Sequence, residues 1–221
     1  MMEKVFVIGA HGHVGQQLVT ELTNAGIETY AGLRDLEQAS DLQKSDLVKP
    51  TQFDLNELPD EMSSQLKASG ADAVVFSAGS GGNTGDDATL MIDLDGAVKA
   101  MEAAKDAGIK RFIMISAAAS DNRKLWDRSG LKPYMIAKHY ADQILAHSGL
   151  DYTILRPGSL TNDDQTGRIK LVGDSDAEVA NLSVARADVA AVIKTILDNP
   201  ATYQKIYTFG SGASEIETAF D

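Results

Sequence analysis

The chain has 221 residues, 43% of them hydrophobic, enough to bury a full core in a single domain spanning 1–221. Its formal net charge of −12 repels nucleic-acid duplexes and anionic membrane surfaces at long range, while leaving room for a local basic pocket that takes a small phosphate. The lack of cysteine excludes disulfides and thiolate metal sites. The opening MMEKVFVIGA is too short an apolar run for a signal peptide, and no stretch reaches the roughly 18 apolar residues of a membrane span, so a cytoplasmic protein is expected.

Residues 5–8 form a continuous apolar run of β type, and Val14, Leu18, Val19 and Leu22 then recur at helical spacing until Gly26. Between strand and helix stand Gly9, Gly12 and Gly15. Such a turn ends a strand at the first glycine, lets backbone approach a bound group at the second, and allows close helix packing at the third. A helix opening near Val14 aims its unpaired N–H groups and positive dipole end at a pyrophosphate. A ligand-free turn is the plainer alternative, but first position after the first strand is where a phosphate cradle belongs. His11 and His13 have no third ligand nearby and the turn separates them, so no metal site is expected; either could lie against a phosphate.

Residues 28–33 read as the second strand. At its end a carboxylate would bind ribose hydroxyls of NAD, whereas an arginine would pair with the 2′-phosphate of NADP. Arg34 and Asp35 are adjacent here. Asp35 opens a helical stretch that it can cap, so Arg34 points to NADP, with NAD as the other possibility.

Further short apolar runs follow in ADAVVFSAG, KRFIMISAAAS and DYTILRPGSL, each ending in small residues. Helical patterns lie between them at residues 59–67, 90–107 and 134–146. Alternating helices and near-continuous apolar strands predict an α/β fold with a doubly wound parallel sheet, its ligand in the crevice at the carboxyl ends of the strands. AGSGGNTGDDATL is expected to loop over that crevice. After Pro157 a small C-terminal segment remains on the substrate side, with a helix in SVARADVAAVIKTILDNP and a last strand in KIYTFG. Arg186 and Asp188, at the start of that helix, are read as capping residues before substrate contacts.

GAHGHVG, LRD, FDLNE, SAG, DLDGAVKAMEAAKDAGIKRFIMIS, YMIAK and DYTILRPGSL occur in the order seen in atypical short-chain dehydrogenases/reductases. The chain resembles the small, single-domain, NmrA-like members of that family, and the resemblance spans nearly its whole length. It implies an NAD(P)-binding Rossmann fold, with Asp54 and Leu55 by the adenine and Ala78 and Gly79 bordering the coenzyme. It also implies that Pro157, Gly158 and Leu160 border the nicotinamide side.

Ser116 closes the fifth strand of this scheme, and Tyr134 and Lys138 share one helical face. A lysine ammonium beside a phenol stabilises the phenolate, so the phenol can exchange a proton with a carbonyl oxygen while hydride moves. Ser116 would hold that oxygen, and Lys138 also the nicotinamide ribose. Tyr134 as a helix-face aromatic packed on the sheet is the plainer alternative. Asp93 departs from the pattern, standing where better-known branches carry an asparagine; it adds a negative charge and lacks amide donors.

These readings lead to an NADP-dependent oxidoreductase acting on a small carbonyl, quinone or flavin-like acceptor. The alternative is a non-catalytic, NADP-binding redox sensor of the NmrA type. No nucleic-acid or membrane partner is expected, the oligomeric state is open, and the short remainder after Pro157 disfavours a bulky sugar-nucleotide substrate. Trp126, in SDNRKLWDRSGLK, reads equally as pocket or core.

Overall fold

Val5, Phe6, Val7 and Ile8 are each at most 1% exposed, because strand β1 (Lys4–Ile8) is covered on both faces. A computed structural model describes residues 2–82, 84–173, 179 and 181–220. Its other strands are β2 (Glu28–Leu33), β3 (Val48–Gln52), β4 (Ala73–Phe76), β5 (Arg111–Ile115), β6 (Asp151–Pro157), β7 (Ser159–Thr161), β8 (Arg168–Val172), β9 (Ser183–Ala185), β10 (Lys205–Ser211) and β11 (Ser214–Glu215). The principal sheet runs β11-β8-β10-β6-β5-β4-β1-β2-β3. From β3 to β10 every pairing is parallel, and the order β3-β2-β1-β4-β5-β6 is that of a doubly wound nucleotide-binding sheet.

The helices are α1 (His13–Asn24), α2 (Pro59–Ser69), α3 (Asp86–Ala88), α4 (Ala97–Asp106), α5 (Arg123–Ser129), α6 (Lys132–Ala146) and α7 (Arg186–Ile196). Successive side chains of β1 go to opposite faces. Val5 and Val7 join Leu18, Val19, Val189 and Ile193 under α1 and α7. Phe6 and Ile8 join Met62, Leu66, Met101 and Leu145 under α2, α4 and α6. Lys194 on α7 pairs with Glu21 on α1 at 2.8 Å. Arg111, 2% exposed, holds the same C-terminal end of α7 by donating to the carbonyls of Ile196 and Leu197 at 2.8 and 3.1 Å. Burial pushes its guanidinium down to about 10, partly offset by Tyr203 and Asp151.

The structure departs from the sequence expectations at several points. The purely parallel sheet is extended at one edge by antiparallel β8 and β11. The opposite edge strand, β3, contains Pro50 and is only partly buried, which is why no apolar run marks it. The helix read over 90–107 begins at Asp86 and contains a π-type turn, Thr89–Gly96. The segment SDNRKLWDRSGLK contains helix α5, capped by Asn122, whose side chain accepts from Lys124 N. Trp126 belongs to the core at 3% exposure, with its Nε1–H donated to Ala119 O and its ring edge-on to His139 at 5.4 Å.

Arg186 and Asp188 do not cap α7. The N-cap is Ala185, with no side-chain cap bond. Asp188 is fully buried and accepts from Thr166 N, Thr166 Oγ1 and Gly167 N at 3.0, 2.8 and 2.8 Å, so it anchors a loop 21 residues or more away. Satisfying two part-buried backbone donors of the loop outweighs a local cap.

Candidate functional site

A cavity of about 940 Å³ opens at the carboxyl ends of β1, β2, β4, β5 and β6. It is lined by all the sequence-derived candidates except Gly15: Gly9, His11, Gly12, His13, Val14, Arg34, Asp54, Leu55, Ala78, Gly79, Asp93, Ser116, Tyr134, Lys138, Pro157, Gly158 and Leu160.

The glycine turn has a distinct steric reason at each position. Gly9 has φ +81°, and a Cβ there would come within 2.7 Å of the Ala78 backbone. Gly15 lies behind the turn, where a Cβ would meet Gly9 O at 2.3 Å. Gly12 is the N-cap of α1 and offers no side-chain acceptor, so the first-turn amides lie uncapped beside the cavity-lining His13 and Val14. Such donors fit an anionic diphosphate. His11 Nε2 pairs with Asp41 Oδ2 at 2.9 Å, tying the turn to the 3₁₀ helix Leu36–Asp41.

Asp35 caps that 3₁₀ helix, as its position suggested, accepting from Glu37 N at 2.9 Å while Gln38 Oε1 accepts from Asp35 N at 3.3 Å. Neighbouring Arg34 is exposed at the cavity and has no hydrogen-bond or ion-pair partner among the described residues. Asp54 accepts from the backbone and side-chain amides of Asn56 at 2.9 and 2.8 Å.

Deeper in the cavity, Lys138 Nζ stands 3.1 Å from Asp93 Oδ1, donates to Ile115 O at 3.2 Å, and lies 5.5 Å from the centre of the Tyr134 ring. Asp93 is fully buried, and its Oδ2 accepts from Ser80 N at 3.0 Å. The π-type turn carries Asp93 between the loop after β4 and the Lys138 face of α6. Burial alone would lower the Lys138 pKa, but Tyr134 and Asp93 outweigh it and hold the ammonium above its ordinary value. Burial raises the Tyr134 phenol; Lys138 pulls it down, and Asp93 and Asp142 push it up, leaving it above the usual tyrosine value.

Ser116 is 3% exposed and its backbone N–H bonds to Leu155 O at 2.7 Å. Its hydroxyl lowers the Asp142 carboxyl pKa, yet the two make no hydrogen bond of good geometry. Burial still leaves Asp142 raised overall, with Arg156 Nε 2.9 Å away as its main counter-charge.

Ser80, Gly81, Gly82 and Thr84, in the loop expected over the crevice, line the cavity; Asn83 lies outside the described residues. Sequence reasoning missed most of the far wall, made by Leu131, Met135, Val179, Asn181 and Leu182, and gave Arg186, which completes it, substrate contact only as a second reading. Gly158 brings that wall in, since a Cβ there would fall 2.4 Å from the Leu182 carbonyl. The signal available in sequence was the glycine after Pro157.

Among the described residues, no helix is long and apolar enough to cross a membrane. A Bacillus subtilis protein named as an uncharacterized sugar epimerase, YhfK, is 43% identical over 217 residues, covering 98% of each chain. The UPF0659 protein YMR090W of Saccharomyces cerevisiae is 37% identical, covering 97% of this chain and 96% of its own. The crystal structure of the oxidoreductase ylbE from Lactococcus lactis superposes with a TM-score of 0.88 at 36% identity, covering 98% of this chain and 94% of its own. Residues 9–200 match the NAD(P)H-binding protein family. With the glycine turn, the sheet order and these likenesses together, the chain belongs to the NAD(P)H-binding family, among Rossmann folds of the atypical short-chain dehydrogenase/reductase kind.

Proposed function

We propose that this protein is an NADP-dependent oxidoreductase that reduces a small carbonyl, quinone or flavin-like acceptor, with Tyr134 as proton donor. The observation that carries the reading is the convergence of Tyr134, Lys138, Ser116 and Asp93 on one cavity with the glycine turn. Gly9, Gly12 and Gly15 shape a cradle whose amides, with His11, His13 and Val14, would hold the diphosphate. Arg34, free of an internal partner among the described residues, would pair with the 2′-phosphate. Asp54 and Leu55 would face the adenine, Ala78 and Gly79 the middle of the coenzyme, and Pro157, Gly158 and Leu160 its nicotinamide side.

When bound, the reduced nicotinamide supplies a hydride. The chain supplies the proton and the orientation. A phenol held above its ordinary pKa is fully protonated near neutral pH, which suits a general acid better than a general base. The Asp93 carboxylate cancels much of the Lys138 charge that would otherwise favour phenolate, so the arrangement favours reduction over alcohol oxidation. Ser116 Oγ, buried and without a well-formed hydrogen bond, is available to the acceptor oxygen. Lys138 would orient Tyr134 and reach the nicotinamide ribose. The apolar far wall supports an apolar acceptor over the sugar-type substrate in the name of the B. subtilis relative.

The test is NADPH oxidation against a panel of aldehydes, ketones, quinones and flavins, with Tyr134→Phe beside the parent. Carbonyl reduction should fall about 10²- to 10⁴-fold in the variant while NADPH affinity stays unchanged. Tight NADPH binding with no turnover on any acceptor would instead support a coenzyme sensor.

A further inference from the structure

The described residues that line the cavity from Ile115 onward in the chain include no acid, although the protein carries a net charge of −12; the lining acids Asp54, Asp86 and Asp93 all precede them. Leu131, Met135, Leu160, Val179 and Leu182 provide apolar surface there. Lys138 is neutralised by Asp93, which leaves Arg186 as the cation of this stretch without an acidic partner among the described residues. The residue is half-buried, and its guanidinium is steered by exposed Asn162, whose Oδ1 accepts from Nη1 at 2.7 Å. Asp188, two residues on, spends its carboxylate on Thr166 and Gly167.

We propose that Arg186, oriented by Asn162, is an anion-binding subsite for the substrate, so that the acceptor is an apolar molecule carrying a carboxylate or similar acidic group. The inference rests on the reading of this cavity as a coenzyme and acceptor site. A guanidinium offers a planar fork that matches a carboxylate in two parallel hydrogen bonds, while the neighbouring apolar side chains offer surface to the rest of the molecule. A neutral acceptor of the same shape would leave the guanidinium half satisfied.

The same chemistry has a second source in the coenzyme diphosphate. Arg186 and His13, each at the first position of its helix, line the same cavity, so a diphosphate at the glycine turn is the competing anion.

Calorimetric titration of NADP⁺-saturated protein with 2-naphthoate and its neutral counterpart 2-naphthamide separates the two sources, with NADPH titrated in parallel. The parent should prefer the carboxylate by about tenfold or more, Arg186→Met should lose that preference with NADPH affinity within about twofold, and Arg186→Lys should keep part of it. Arg186→Gln serves as a second neutral variant, with thermal melts identifying whichever substitution impairs folding. A carboxylate preference unchanged in the neutral variants, or binding of neither naphthalene compound by the parent, would overturn the proposal. So would an NADPH affinity that falls about tenfold while the carboxylate preference survives, since Arg186 would then serve the diphosphate. Neutral aldehydes oxidising NADPH without any carboxylate preference would sink this inference alone and leave the proposed activity standing.

Discussion

Asp93 Oδ1 and Lys138 Nζ are 3.1 Å apart, with the two side chains 0% and 4% exposed. The same carboxylate takes Ser80 N–H through Oδ2, so one buried group joins the lysine beneath Tyr134 to the loop over the cavity. A buried pair of this kind costs desolvation on both partners and becomes a liability when either is removed.

Replacing Asp93 with asparagine removes a charge that raises the Tyr134 pKa. The alkaline limb of carbonyl reduction, which needs the protonated phenol, should therefore move to lower pH, and ultraviolet titration should show Tyr134 ionising earlier. The orphaned ammonium should cost about 3 kcal/mol of stability, read from denaturant melts. A limb that moves to higher pH would contradict the assignment.

Stability should also fall in alkali for a defined reason. The folded-state pKa of Lys138 is raised above 10.5, so its contribution is complete below that value and is lost as pH climbs through the folded pKa. Tyr134, raised above 10.0, acts in the same direction because the folded chain resists its ionisation. Melting temperatures between pH 8 and 11 should drop steeply above about 10.5 in the parent, and the drop should shrink in a Lys138→Met, Tyr134→Phe double variant.

Arg34→Ala should weaken NADPH binding about 10- to 100-fold, the worth of hydrogen bonds to a charged group, with NADH binding nearly unchanged. Fluorescence titration with both coenzymes measures the ratio. Equal losses for both would remove the 2′-phosphate from the account.

Gly15→Ala and Gly26→Ala form a matched pair. A Cβ at Gly15 would meet backbone at 2.3 Å, whereas one at Gly26 meets nothing within 4 Å and suffers only from φ +80°. The first should lose about 2–3 kcal/mol and much of its coenzyme affinity; the second should lose about 1 kcal/mol and bind normally. Denaturant melts with NADPH titrations check both.

Asp188→Ala should lower stability by about 1–3 kcal/mol in denaturant melts, because it removes the charged acceptor of the part-buried Thr166 and Gly167 amides. An alanine as stable as the parent would mean that water replaces the carboxylate.

Much of the fold and half of the site were legible from local pattern. Val5 to Ile8 read as a buried strand because a central parallel strand is apolar on both faces, and Gly9 announced its turn because φ +81° excludes most other residues. Tyr134 and Lys138 could be paired because four residues return to one helical face, and Asp35 could be read as a cap because capping is a contact two residues long. Arg186 could not be read that way. At the head of a helix it looks like a cap, and only the pairing of β7 with β9 turns it toward Asn162 and the cavity. Asp188 was hidden for the same reason, since its partners lie 21 and 22 residues away. The ion pair of Asp93 with Lys138 was decided by tertiary packing of the π-type turn against α6. Periodicity and turn chemistry report a residue's own backbone and burial, so they determined the sheet, the glycine cradle and the phenol. Which charges meet across the cavity depends on chain segments brought together from far apart, and that belongs to the folded molecule alone.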